Sequence, residues 1–200
     1  MKIIIHADDI GLSEGITDRI LDCVDHGIVT SVSIIPNGHA FSYTMDALKI
    51  RPNVQLSVHL NLREGCCLAD PNDIDLLVDK VGNFNHSFIS LWSQYLFGSS
   101  IIKQKMQSQV RTEISIQLKK VCDYLGPDTP LRIDSHEHFH MIPFVFEVLL
   151  SLRDEFNIEY IRMPREPFFY DSSPTSIKNY LSLNLFKHIL LNILSIWHSR

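Results

Sequence analysis

The sequence predicts an α/β fold with a parallel sheet covered by helices. Short β-branched runs alternate with segments of helical periodicity, and polar clusters fall where those runs end. Parallel strands need crossover connections, and helices are the usual crossovers, so this alternation argues for a parallel sheet.

In chain order, Lys2–Ala7 reads as the first strand. Ser13 supplies an N-cap for a helix through about His26, with Gly27 as its stop. Thr30–Pro36 is a second strand, followed by a helix from about Ala40 to Ile50, and Val54–Asn61 a third strand. From Arg63 to about Asn85 the pattern is irregular, with Gly65, Pro71 and Gly82, and predicts a long surface excursion of the kind that covers active sites. Two helices follow; in the second, Met106, Val110, Ile114, Leu118, Val121 and Leu125 form one apolar stripe at spacings of three and four. Leu131–Asp134 is a fourth strand, Ile142 to about Phe156 a helix, Glu159–Met163 a fifth strand and Ser176 to His198 a last helix. Five strands are fewer than the eight that a closed barrel of about 250 residues carries, which predicts an open or partial barrel.

At 200 residues with 45% hydrophobic content, the chain is long enough for one sizeable core, and a single domain over 1–200 is the expectation. The net charge of -5 counts against sequence-independent nucleic-acid binding, which needs a basic footprint. Four cysteines without a CxxC pair fit a reducing compartment, and the short apolar start is no signal peptide, so a cytoplasmic location is expected. Tyr180 to Trp197 is the most membrane-like stretch. Lys187 and His188 in its middle make a span costly, about 2.5–3.5 kcal/mol for a central Lys, so a buried or interface-forming helix is expected.

Three clusters could carry chemistry: Asp8-Asp9 after the first strand, His59-Leu60-Asn61 ending the third, and Asp134-Ser135-His136-Glu137-His138-Phe139-His140 after the fourth. The carboxyl ends of parallel strands open onto the active-site face, so the three converge on one rim. An Asp pair alone is commonly a turn or cap, and a strand histidine alone is commonly a core residue. Three alternate histidines with two acids are a poor recipe for a plain loop. Two imidazoles and a carboxylate form a common three-ligand set for Zn, Fe, Mn or Co, with room left for water. His6 could line this site or be packed. Cys66-Cys67 has no base at useful spacing, and no GxGxxG, Walker A or GxSxG motif occurs.

Taken together, ADDIGLS, GIVTSVSIIPNG, HLNL and DSHEHFH, in that order, resemble the YdjC-like carbohydrate deacetylases, which include chitooligosaccharide deacetylases. Glu113, Gln117 and the IRMPRE run at 161–166 look like further family positions. The resemblance implies a (β/α)-barrel-like fold and one divalent ion, Mg or Zn with Mn or Co as alternatives, held by Asp9, His59 and His136. It implies hydrolysis of an N-acetyl group from an amino sugar, with Asp8 as general base and His138 or His140 orienting ligands or protonating the amine. Asn61, Arg162 and Glu166 are the implied substrate-binding residues. Family members usually continue with further barrel elements and a late His-Pro-Gly segment, which this sequence lacks. An incomplete barrel, with self-association to a homodimer through the apolar 180–197 helix, is therefore expected. Two other readings stay open: a catalytically impaired sugar- or metal-binding relic of the same fold, and a metallo-phosphoesterase or amidohydrolase.

Overall fold

The computed structural model describes residues 3–165 and 183–199. Five parallel strands form one sheet in the order β1-β2-β3-β4-β5: β1 His6–Ile10, β2 Ser31–Ile34, β3 Gln55–Leu60, β4 Leu131–Ser135 and β5 Ile158–Ile161. The connecting helices are α1 Glu14–Asp25, α2 Phe41–Lys49, α3 Phe88–Phe97, α4 Ser100–Leu125 and α5 Pro143–Ser151, with α6 Leu183–His198 last. This is an α/β fold with a helix-flanked parallel sheet in a (β/α)-barrel-like arrangement, as the alternation predicted.

The two faces of the sheet differ in chemistry. Val32, Ile34, Val58, Leu60, Leu131 and Ile133 are buried in the core beneath the helices. The residues between them in sequence, Ser31, Gln55, Ser57, Arg132 and Asp134, join His6, Tyr160 and Arg162 around a cavity of about 270 Å³ on the other face. Successive side chains of a strand point to opposite faces, so this alternation gives the sheet a polar inner wall. Parallel sheets covered on both sides usually run apolar throughout. Here the exception is where the site sits.

Strand boundaries differ from the sequence reading mainly at β1. It begins at His6 rather than Lys2 and runs through Asp8-Asp9 to Ile10. The pairing with β2 shifts between Ala7↔Val32 and Ile10↔Ile34, so β1 carries an extra residue. Asp9 has φ of +68°, in the left-handed region. A bulge, not a turn after the strand, therefore aims both aspartates at the site. The loops after β1 and β2 approach closely: a Cβ on Gly38 would lie 2.1 Å from the Gly11 carbonyl oxygen. Only glycine fits there.

Ser13 caps α1 as expected, its Oγ accepting from the Ile16 amide at 3.4 Å. The α4 stripe is buried from Met106 to Val121, whereas Leu125 is partly exposed at the helix end. The excursion from Arg63 to Asn85 is not a loose surface segment. Ala69, Ile74, Leu77, Val78 and Phe84 are buried in it. Three polar side chains on α4, one turn apart, hold it down. Gln109 Oε1 accepts from Leu76 N at 2.9 Å, Glu113 Oε2 from Ala69 N at 2.9 Å, and Gln117 Oε1 from Asn61 N at 3.0 Å. Glu113 also accepts from Leu68 N and from Gln117 Nε2, and burial raises its pKa.

The sequence placed the last helix from Ser176; residues 176–182 lie outside the described residues, as does Glu166. Along α6, Leu191 and Leu194 are buried, while Ile189, Ile193, Ile196 and Trp197 are exposed. No helix among the described residues is long and apolar enough to cross a membrane.

Replacing Glu113 with alanine removes the acceptor for two loop amides and empties buried volume. The expected loss is about 3 kcal/mol of unfolding free energy, read by urea titration. Hydrogen exchange should rise first across residues 63–85.

Candidate metal centre

Three strand ends bring the site together. The β1 bulge supplies Asp8 and Asp9, β3 supplies His59, and the kinked six-residue 3-10 segment His136–Met141 after β4 supplies the histidine cluster. Glu137 and His138 have φ of +50° and +63°, so, with Asp9, three of the four non-glycine residues in the left-handed region among the described residues lie here. Each such residue costs of order 1–3 kcal/mol unless its surroundings enforce it, and such strain clusters at functional sites.

Asp9, His59 and His136 offer ligand atoms that all lie within 4.8 Å of one another. His59 Nε2 is 3.1 Å and His136 Nδ1 2.8 Å from Asp9 Oδ1. Ligand atoms around a Zn-sized ion sit about 3–3.5 Å apart, given bonds of about 2.1 Å. The far nitrogens are equally informative. His59 Nδ1 lies 2.6 Å from Asp134 Oδ1, and His136 Nε2 lies 3.1 Å from Glu64 Oε1. A carboxylate can only accept, so each far nitrogen keeps a hydrogen on its own carboxylate, and the near nitrogen, whose hydrogen goes to Asp9 while no metal is bound, is the one a metal ion would take. Metal-ligating histidines are commonly held this way. The donor set therefore fits a divalent ion.

A second trio, His6, Asp8 and Asp134, also has converging ligand atoms. It already holds a cation of the protein's own: Arg162 Nη1 is 2.9 Å from Asp8 Oδ1 and 3.4 Å from Asp134 Oδ2. His6 Nε2 adds contacts of 3.1 Å to Asp8 and 3.3 Å to Asp134.

The charges follow from these contacts. Burial opposes protonation of His59 and His6, but the carboxylates around them prevail and raise each imidazole to about 9. Hydrogen bonds from His136 and His59 hold Asp9 well below the usual carboxylate range. Burial would raise Asp134, yet His59 and His6 hold it low as well. Asp8 is lowered too, its burial outweighed by His6, His59 and Arg162.

The remaining predicted residues separate by access. His140 is buried, with Nδ1 2.6 Å from Ser135 Oγ and Nε2 2.8 Å from the Arg162 carbonyl oxygen. Both nitrogens are committed to the scaffold. His138 is only partly buried, though its Nδ1 is buried and has no hydrogen-bond partner among the described residues, and burial and then Lys187 lower its pKa. Asn61 is buried and fully engaged: its Nδ2 donates to Asn37 Oδ1 and the Glu64 carbonyl, and its Oδ1 accepts from Arg63 and Glu64 amides. It shapes the turn that carries Glu64, so its side chain has no face left for substrate. Arg162 is committed to Asp8 and Asp134. The sequence reading left out Glu64, named Asp134 only as part of its cluster without a role, and left His6 open between lining the site and packing.

The family is settled by comparison with known proteins. A family model described as YdjC-like protein matches residues 2–191. The chain belongs to the YdjC-like family. Its relatives in that family include a carbohydrate deacetylase of Halalkalibacterium halodurans, 30% identical over 79% of this chain and 62% of that protein. A carbohydrate deacetylase of Danio rerio is 28% identical over 84% of this chain and 51% of its own length. The chain thus spans about half to three fifths of these YdjC-like relatives. A crystal structure from Enterococcus faecalis, of a protein provisionally described as acting in cellobiose-phosphate cleavage, superposes with a TM-score of 0.63. It is 26% identical and covers 92% of this chain and 64% of its own.

His140 makes a pH prediction possible. Burial lowers its pKa from 6.5 to about 4. The unfolded chain takes up that proton near 6.5 and the folded chain only near 4. Its contribution to stability is therefore present above 6.5 and lost as pH falls towards 4, about 3 kcal/mol in all. Urea titrations across that window should show this loss in the wild type. The His140→Gln protein should be less stable near pH 7 and lack that part of the acid slope.

Proposed function

We propose that this protein is a metal-dependent hydrolase that removes N-acetyl groups from amino sugars or chitooligosaccharides. The observation that carries the reading is the convergence of Asp9, His59 and His136, each histidine with its far nitrogen on a carboxylate, beside a second aspartate held in place. The names of the YdjC-like relatives supply the substrate class.

Asp9, His59 and His136 would hold one divalent ion, Mg or Zn, with Mn or Co as alternatives. Such an ion, when bound, supplies Lewis acidity towards water and an amide carbonyl. Asp8 stays ionised between His6 and Arg162 and accepts the proton of the attacking water. Its neighbours hold the carboxylate at a fixed place, so little reorganisation is needed when the proton arrives. His138 is the proton donor to the departing amine, because its ring is only partly buried while His140 is buried with both nitrogens used. His140 orients the turn, and Arg162 serves Asp8 rather than the sugar.

The test is acetate release from chitobiose and N-acetylglucosamine with Zn, Mg, Co or Mn and with chelator. Metal-dependent release is expected. Asp8→Asn should lower kcat about 10²- to 10⁴-fold with metal still bound, and His136→Ala should abolish metal binding as well. Stoichiometric metal binding without release from either sugar would overturn the deacetylase reading and leave a binding function.

A further inference from the structure

Asp134 lies at the centre of the site without belonging to its ligand set. It sits on the inner face of β4 and is almost wholly buried. The parallel register sets His59 directly beside it on β3, which explains the 2.6 Å contact between His59 Nδ1 and Oδ1. Its other oxygen, Oδ2, faces His6 Nε2 at 3.3 Å and Arg162 Nη1 at 3.4 Å. Those two groups in turn grip Asp8, at 3.1 and 2.9 Å. One carboxylate therefore touches both arms of the site. Oδ1 serves the metal-ligand arm and Oδ2 the arm that holds Asp8.

We infer that Asp134 is the positioning residue that fixes the ligating form of His59 and ties it to the placement of Asp8. The inference rests on Asp9, His59 and His136 being the metal ligands. A buried carboxylate offers acceptors on both sides, and His59 must answer with Nδ1–H; Nε2, which shares its hydrogen with Asp9 at 3.1 Å, is then the nitrogen from which a metal ion would displace the proton. Ser33 Oγ, 3.1 Å from His59 Nδ1, cannot impose this alone, because a hydroxyl can donate as readily as accept. The two arms therefore share one anchor.

Asparagine in place of Asp134 keeps the shape and breaks this logic. Arg162 cannot accept a hydrogen bond, so the amide oxygen is expected to face Arg162 and the NH₂ to face His59 Nδ1. His59 then carries its hydrogen on Nε2 and is lost as a ligand.

Calorimetric zinc titration of the wild type and of Asp134→Asn, with the imidazole ¹⁵N spectrum of each, tests the inference. The expected result is zinc bound about 10- to 100-fold more weakly by Asp134→Asn. His59 should be an Nδ1–H imidazole in the zinc-loaded wild type and an Nε2–H imidazole in the variant. The wild-type spectrum needs no variant to fold: Nε2–H at His59 in the zinc-loaded wild type overturns the inference. So does zinc affinity within twofold of wild type in a folded Asp134→Asn. A wild type that binds no zinc, magnesium, cobalt or manganese overturns the metal reading itself, and this inference with it.

Discussion

The site depends on a parallel sheet with an apolar back and a polar front. Helices α4 and α5 close over the back, where Val58, Leu60, Leu131 and Ile133 lie in the core. The front is lined by imidazoles, hydroxyls, guanidinium groups and carboxylates from all five strands. Parallel register then decides which of them meet: His6 sits beside Ser31 and bonds to it at 2.7 Å, and His59 sits beside Asp134. Burying such groups is costly unless each has a partner. The strand register supplies partners at fixed spacing, and in doing so organises the charges before any ligand arrives.

Charge is balanced locally along this wall. Asp8 and Asp134 are set against His6 and Arg162, and Asp9 against the two histidines that flank it. The two triads differ in one respect. Around Asp8 and Asp134 the balancing cation is a guanidinium, permanent at any accessible pH. Around Asp9 the balancing charge includes the proton on His59, which a metal ion can displace. This separates a fixed structural pair from an exchangeable site a few ångströms away.

Much of the architecture was legible because it rests on short-range patterns. Ser13 announces α1, the three-and-four spacing from Met106 to Val121 announces α4, and strand ends with acids and imidazoles announce the rim. The bulge at Asp9 was not legible, since a register shift depends on the neighbouring strand. The role of Asp134 had a signal beyond its cluster: the period-two alternation in Gln55-Leu56-Ser57-Val58-His59 and again in Leu131-Arg132-Ile133-Asp134 assigns each polar residue to the inner face. Glu64 had none, because its partner His136 is 72 positions along the chain and only the tertiary fold brings them together. The buried core and ties of the excursion after β3 were not legible, because Gln109, Glu113 and Gln117 are polar residues on a helix face and resemble solvated positions.

Those three ties bear on how the family can diversify. They fasten the segment at separate points, Asn61, Leu68–Ala69 and Leu76, so the exposed positions between them can change while the ties and the buried Ile74 hold. Glu64 lies in one such stretch, its carboxylate 3.1 Å from His136 Nε2. A fastened segment of this kind can be remodelled cassette by cassette while β3 and its histidine stay in register. Changes there alter the ground beside Glu64 and His136 and leave the polar wall of the sheet unchanged.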